Sequence, residues 1–199
     1  KIYWGNYNIW QGENLATLFS KVYSCRIDNG RIVVEGSLAG ISRKPFFRYT
    51  LTVTIHQSGR IHWQLDGTVR EDCIWLPRLG FEMKLPFEDD RFSYFGKGPS
   101  ETYCDMQRHA LMGWYQSSAD DEYVPYVVPQ EHGNHTGCKV LKIESGLEFV
   151  ADTLFDFRVS HYSSKQLTEA MHTDELVKED ATHIRIDYKV SGVGSNACG

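Results

Sequence analysis

"TLTVTIH", Thr50 to His56, sets Leu51, Val53 and Ile55 against Thr50, Thr52, Thr54 and His56 in strict alternation. A period of two puts apolar and polar side chains on opposite faces of an extended strand, whereas a helix needs a period near 3.6. "QSGR", Gln57 to Arg60, follows at once, and beyond it Ile61, Trp63 and Leu65 alternate again. Ser58 and Gly59 therefore predict a tight turn joining two antiparallel strands.

The same signals recur outward from this hairpin. "DNG" at Asp28 to Gly30 and "ESG" at Glu144 to Gly146 are further turn sequences, while Phe155, Phe157 and Val159, then Ile184, Ile186 and Tyr188, repeat the alternation. Several short strands separated by turns predict an all-β sandwich of antiparallel sheets rather than a parallel α/β sheet. One helix is expected over 164–171, where Ser163 stands three residues before Gln166 as a capping box and Leu167, Ala170 and Met171 share a face. The stretch from Phe95 to Gly137 reads as a long loop-rich region, of the kind that is often functional or faces a partner. Without repeats or a Gly/Ser linker, 1–199 is expected to form a single domain.

Composition excludes several classes of function. The 199 residues are 41% hydrophobic and 24% charged with a net charge of −5, which lacks the basic excess that nucleic acid demands. No run approaches the roughly 20 apolar residues of a membrane span, and Lys1 to Trp10 has neither the apolar core nor the small-residue cleavage site of a secretory signal. Neither nucleic acid nor membrane is expected as a partner. Cys25, Cys73, Cys104, Cys138 and Cys198 are scattered, odd in number and never spaced C-x-x-C, which argues against a disulfide framework or a zinc site and for a reducing cytoplasm.

Chemistry-bearing residues concentrate in two stretches. "PYVVPQEHGNHTG", Pro125 to Gly137, holds Glu131, His132 and His135. Such side chains ligate zinc or move protons, but the prolines and glycines make this a loop without a third His or Cys nearby, so a structural role outweighs metal binding or general-base chemistry. "GKGPSETYCD", Gly96 to Asp105, lacks the third glycine of a dinucleotide fingerprint and carries Pro99 where a phosphate-binding helix should open. In an extended backbone Glu101, Tyr103 and Asp105 share a face, yet the two carboxylates then stand about 13 Å apart, too far for the pair that flanks a scissile glycosidic bond. Salt-bridge or interface roles suit Glu101 and Asp105 better. The aromatic residues Trp4, Tyr7, Trp10, Trp75, Trp114, Tyr115, Tyr123 and Tyr126 fall partly in loops, where a ring can stack on a sugar face.

Five stretches, in one order, resemble the C-terminal domain of the large β-galactosidases of glycoside hydrolase family two, found also as the small subunit of two-chain members. They are "LPRLGFEMKLP" from Leu76, "YFGKGPSETYCD" from Tyr94, "PYVVPQEHGN" from Pro125, "FRVSHYSSKQLTEAMHTDEL" from Phe157 and "IRIDYKVSGVGSNACG" from Ile184. The resemblance covers nearly the whole chain. It implies an antiparallel β-supersandwich of the galactose mutarotase type, placed against a catalytic barrel that carries both glutamates of a retaining hydrolysis, so that no residue of this chain is catalytic.

The resemblance further implies that Cys198, after the "GVG" of Gly192 to Gly194, lines the acceptor side of the active site where many members carry tryptophan. A thiol offers less stacking surface than an indole, so a looser acceptor side is expected. Full-length members commonly use magnesium and sodium, neither of which is expected in this chain. Expected partners are the other domains or the large subunit of the same enzyme, its galactoside substrate and, at full length, further copies of itself. Two departures stand out: Met106 follows Asp105 where the family usually has arginine, and His132 replaces the asparagine usual between Glu131 and Gly133. Both ends are expected to be cut from a longer protein. Two rival readings remain: a stand-alone mutarotase-like epimerase using Glu131 and "NHT" (Asn134 to Thr136), and a non-enzymatic carbohydrate-binding module.

Overall fold

The computed structural model describes residues 13–15, 17–71 and 76–190. The chain, read above as one domain, gathers into two compact units that divide at Leu76. Each is built from antiparallel sheet, so the all-β class with one short helix agrees with the reading of the sequence.

The N-terminal unit is a four-stranded meander of β1 (Leu18–Asp28), β2 (Arg31–Gly40), β3 (Phe47–Ile55) and β4 (Ile61–Val69). Its last hairpin, β3–β4, is the one that "TLTVTIH" predicted: Ile55 faces Ile61, Val53 faces Trp63 and Leu51 faces Leu65. The turn is closed by Gly59 N donating to His56 O at 3.0 Å and His56 N donating to Arg60 O at 2.9 Å. At the β1–β2 turn Asn29 and Gly30 both have positive φ, 50° and 76°, as a two-residue turn that follows the strand twist requires. A bulge between Val22 and Ser24 shifts the register of β1. Before it Phe19 and Lys21 lie on the same face as Ser37 and Ala39, since Lys21 pairs with Ser37 and Phe19 with Ala39, and Tyr23, the unpaired residue of the bulge, places its hydroxyl 2.8 Å from Ser37 Oγ.

The C-terminal unit is a six-stranded sheet in the order β5-β10-β9-β8-β6-β7. Its strands are β5 (Arg78–Leu85), β6 (Arg91–Gly98), β7 (Leu111–Ser118), β8 (Asn134–Ile143), β9 (Glu148–Ser160) and β10 (Thr182–Val190). One face carries the core, where Phe92, Tyr94, Leu141, Phe155, Phe157, Val159 and Ile184 are buried together. Phe157 meets Phe92 edge-on at 5.6 Å and Tyr94 at 5.0 Å between ring centroids.

Three expectations are corrected. The stretch 95–137 contains a full strand, β7, hidden in the sequence because Leu111, Met112, Trp114 and Tyr115 do not alternate around Gly113; pairing to β6 (Phe95 with Trp114, Tyr94 with Tyr115) supplies what the pattern lacks. Tyr188 does not continue the alternation of Ile184 and Ile186, because a bulge between Asp187 and Lys189 turns it out to solvent. The helix α1 runs only over Ser164–Glu169, with Ser163 as N-cap accepting from Gln166 N at 3.3 Å. Leu167 and Ala170 are buried, but Met171 lies past the C-cap and is exposed. The other half of the capping box is spent elsewhere, since Gln166 Oε1 accepts from Val177 N at 2.9 Å.

Candidate functional site

The chemistry-bearing loops converge at the start of β8, where the backbone of 99–110 is stitched to that strand. Thr102 N donates to Asn134 O at 2.6 Å, Asn134 Nδ2 returns a bond to Thr102 O at 2.9 Å, and Thr136 N donates to Thr102 Oγ1 at 2.7 Å. Thr102, Asn134 and His135 are fully buried. Buried polar groups cost free energy unless bonded, so this lattice holds the loop in one path.

Glu101 is one of the pins. Its carboxylate is buried and accepts from Gly133 N at 2.7 Å, from Tyr103 Oη at 3.4 Å and from Tyr126 Oη in a short contact. The carboxylate beside Tyr126, together with burial, pushes the Tyr126 phenol up to about 12, burial being the larger effect. Gly133 has φ +69°, a conformation open to glycine, and a Cβ there would stand 3.0 Å from Glu122 Cβ. Asp105 is elsewhere: it is exposed in the tight turn closed by Tyr103 N donating to Met106 O at 2.9 Å. The extended geometry weighed for 101–105 does not form, and the two carboxylates do not share a surface.

Glu131 lies in an ion cluster on the opposite face of the sheet from the aromatic core. Arg78 grips it with two parallel bonds, Nη2 to Oε1 at 2.7 Å and Nη1 to Oε2 at 3.0 Å, and places its Nε 3.1 Å from Asp187 Oδ2. Bidentate pairing of this kind is the strong form of an ion pair. Burial works to raise the Glu131 carboxyl, but the charges of Arg78 and Arg158 outweigh it and its pKa is lowered. Asp187 goes the other way, pushed up to about 6 by burial against the pull of Arg78 and Arg185. Arg158 is itself buried, donating to Tyr162 O at 2.8 Å and to Ser164 Oγ at 3.3 Å.

The two histidines are engaged in different directions. His135 is held through Nε2 by Glu122 Oε2 at 3.0 Å, and its Nδ1 lies 3.0 Å from Tyr94 Oη and 3.1 Å from Lys97 O. Its ring stacks on Phe157 at 5.3 Å. His132 donates from Nδ1 to Gln130 O at 3.0 Å, while its Nε2 is buried without a hydrogen-bond partner among the described residues. Its ring meets Tyr123 edge-on at 5.1 Å. Among the described residues no three His, Cys, Asp or Glu side chains come together to hold a metal ion. Cys198, "GVG" and the aromatic residues Trp4, Tyr7, Trp10 and Trp75 lie outside the described residues.

His132 carries a measurable consequence. Burial first, and the charge of Arg158 second, depress its pKa from 6.5 to about 4. A folded-state value below the unfolded one means that the unfolded chain binds the proton more readily, so stability is fully present above about pH 6.5 and is lost as pH falls toward 4. Asp187, raised in the fold, contributes with the opposite sign over part of that range. A comparison with His132→Gln cancels it. Urea denaturation at pH 7 and pH 5 should show the parent losing about 2 kcal/mol more than the variant across that interval. Equal losses would mean that the imidazole is not buried as a neutral group.

Sequence reasoning found Glu101, Glu131, His132 and His135 but missed Arg78 and Glu122, which bind Glu131 and His135, and the charged Arg158 and Asp187 of the same cluster as Arg78. The one local signal was an arginine inside the apolar alternation of "FDFRVS". The partners are 53 residues apart for Arg78 and Glu131 and 13 for Glu122 and His135, so no short motif joins them.

Every one of these groups is tied into the framework, and known proteins place that framework. The family model described as beta galactosidase small chain matches residues 5–199. The chain is similar to the β-galactosidase of Actinobacillus pleuropneumoniae, 33% identical over 194 residues, which are 96% of this chain and 19% of that protein. It is 35% identical over 153 residues to that of Staphylococcus xylosus, covering 75% of this chain and 15% of the relative. It is 37% identical over 147 residues to that of Photobacterium profundum, covering 73% and 14%. The chain thus spans less than a fifth of the length of these relatives. With nearly its full length matched, the chain belongs to the β-galactosidase small-chain family.

Proposed function

We propose that this chain is a non-catalytic domain of a β-galactosidase that hydrolyses terminal β-D-galactosides such as lactose. The observation that carries this reading is the family match over 5–199 in a chain that corresponds to only 14–19% of its relatives. The geometry supports it: the carboxylates of Glu101 and Glu131 are taken up by Gly133 and Tyr126 and by Arg78 respectively. The retaining acid/base and nucleophile belong to a catalytic barrel, against which this domain packs. Cys198 lines the acceptor side of the assembled site. Magnesium and sodium, which the resemblance implies for full-length members, are held by the rest of the enzyme. The assembled enzyme is cytoplasmic and homo-oligomeric, with its barrel on the same polypeptide or on a partner subunit.

The purified chain 1–199 should not release nitrophenol from a chromogenic β-galactoside, whereas the whole protein should. Turnover by the pure chain would overturn the non-catalytic role. In the whole protein, Cys198→Trp should lower KM for disaccharide acceptors in transglycosylation and leave hydrolysis of a small aryl galactoside within about threefold, as expected of one added stacking surface. An unchanged acceptor preference would remove Cys198 from the site.

A further inference from the structure

The face of the six-stranded sheet opposite the aromatic core changes character along its width. Toward β5 it carries the ion cluster of Arg78, Arg158 and Asp187, and toward β7 it is apolar and exposed. The register fixes which side chains stand together there. Trp114 lies opposite Phe95, Phe95 opposite Val140, and Val140 opposite Val150, so a row of apolar side chains crosses β7, β6, β8 and β9. With neighbouring strands about 4.8 Å apart, the row is about 14 Å long. Two residues along each strand, on the same face, Gln116, Ser93, Lys142 and Glu148 form a second row beside it.

Both rows are open where a ligand would meet them. Trp114 is 58% and Val150 62% exposed, and the Trp114 ring is braced by Phe95 at 5.6 Å between centroids. Gln116, Lys142 and Glu148 are exposed as well. Lys142 Nζ stands 6.0 Å from the Trp114 ring centroid and 3.4 Å from Glu148 Oε2, so its charge is matched within the row. On the other side of the apolar row lie Met112 and Lys97, the latter bonded to Gln107 Oε1.

This pattern selects among occupants. A protein partner needs a broad apolar patch at the centre of its contact, and this strip is one side chain wide. A nucleic acid strand needs a positive groove, which a matched Lys142–Glu148 pair does not supply. A chain of pyranose rings fits both rows at once: its C–H faces lie on an aromatic and aliphatic strip, and its hydroxyls reach amide, hydroxyl, ammonium and carboxylate groups alongside. The axial hydroxyl of galactopyranose leaves one ring face made of C–H groups, the face that stacks on an indole.

We propose that the row of Trp114, Phe95, Val140 and Val150 binds a neutral β-galactoside oligosaccharide, with one ring stacked on Trp114, the chain laid across the strands toward Val150, and hydroxyls bonded to Gln116, Lys142 and Glu148. The sheet supplies the site, and the choice of galactose rests on the galactosidase reading. The ligand is held here and not cleaved.

Calorimetry on the whole protein tests it with a thio-linked β-1,4-galactotetraoside, which a glycosidase does not cleave, after a small thiogalactoside has saturated the catalytic centre. The tetraoside should bind the parent in the millimolar range or tighter, and Trp114→Ala should weaken it at least about tenfold, with part of the affinity restored in Trp114→Phe. Val150→Asp, at the far end of the row, should weaken the tetraoside several-fold and leave a thio-linked disaccharide unchanged. Trp114 and Val150 are exposed, and circular dichroism confirms that the variants fold. Hydrolysis of a chromogenic galactoside by the parent is read separately, so failure of the galactosidase reading and failure of this site give different results. The proposal is overturned by the absence of heat at about 20 mM tetraoside or by an affinity that Trp114→Ala does not change. It is overturned equally if Trp114→Ala loosens the assembled protein while the parent binds no tetraoside, which would make the strip a contact with the rest of the enzyme.

Discussion

Phe157→Ala should destabilise the C-terminal unit by about 3–5 kcal/mol, the range for truncating a fully buried aromatic side chain. Phe157 is 0% exposed and sits where β8, β9 and β10 meet, paired with His135 on one side and Ile186 on the other. Its ring contacts Phe92, Tyr94 and His135, so truncation removes two edge-on aromatic contacts and one stacked contact at once. The surrounding strands are locked by their ladders and cannot collapse into the space. Phe157→Leu, which refills most of the volume, should cost less than half as much. Urea denaturation followed by tyrosine fluorescence checks both. A loss under about 1 kcal/mol for the alanine variant would mean that the core is not organised around this ring.

Glu131→Ala should destabilise by about 3 kcal/mol, at the low end for breaking a buried ion pair because the Glu131 side chain keeps 31% of its exposure. Most of that cost comes from what is left behind. Arg78, Arg158 and Arg185 lie close enough to shift one another's ionisation, and Glu131 acts on all three. Asp187 offsets only part of the loss, since it already contacts Arg78 Nε at 3.1 Å and burial pushes its carboxyl up to about 6. The sign with pH follows from the direction of the shift. A carboxyl whose folded pKa lies below its unfolded value stabilises above the unfolded value, near 4.3, and the contribution fades as pH falls through the folded value. The gap between parent and variant should therefore be widest near neutrality and close in strong acid. Glu131→Gln separates shape from charge: a cost near that of alanine assigns the effect to the lost charge, and a cost near zero would refute the ion-cluster account.

Both predictions concern residues whose importance was unequally visible. Phe157 was legible as core because it alternates with Phe155 and Val159, and a period of two is a local property that backbone geometry converts directly into a buried face. The hairpins at Asp28–Arg31, Ile55–Ile61 and Glu144–Glu148 were legible for a similar reason, since a tight turn is specified by a few adjacent residues. Strand β7 was not, because its pairing with β6 overrides a sequence that lacks alternation. Glu131 was noticed beside His132, yet its partner is Arg78.

By itself the sequence determined the all-β class, the antiparallel hairpins, the capped helix start at Ser163 and the membership that its five stretches suggested and the family match established. Tertiary structure alone decided which polar side chains are buried and what satisfies them: Glu101 by Gly133, His135 by Glu122, and Glu131 by Arg78. Periodicity and turn chemistry act over two to four neighbouring residues and leave their mark in the order of the letters. The pairing of buried charges depends on which segments the sheet brings within about 3 Å, and that distance is set by strand order and register.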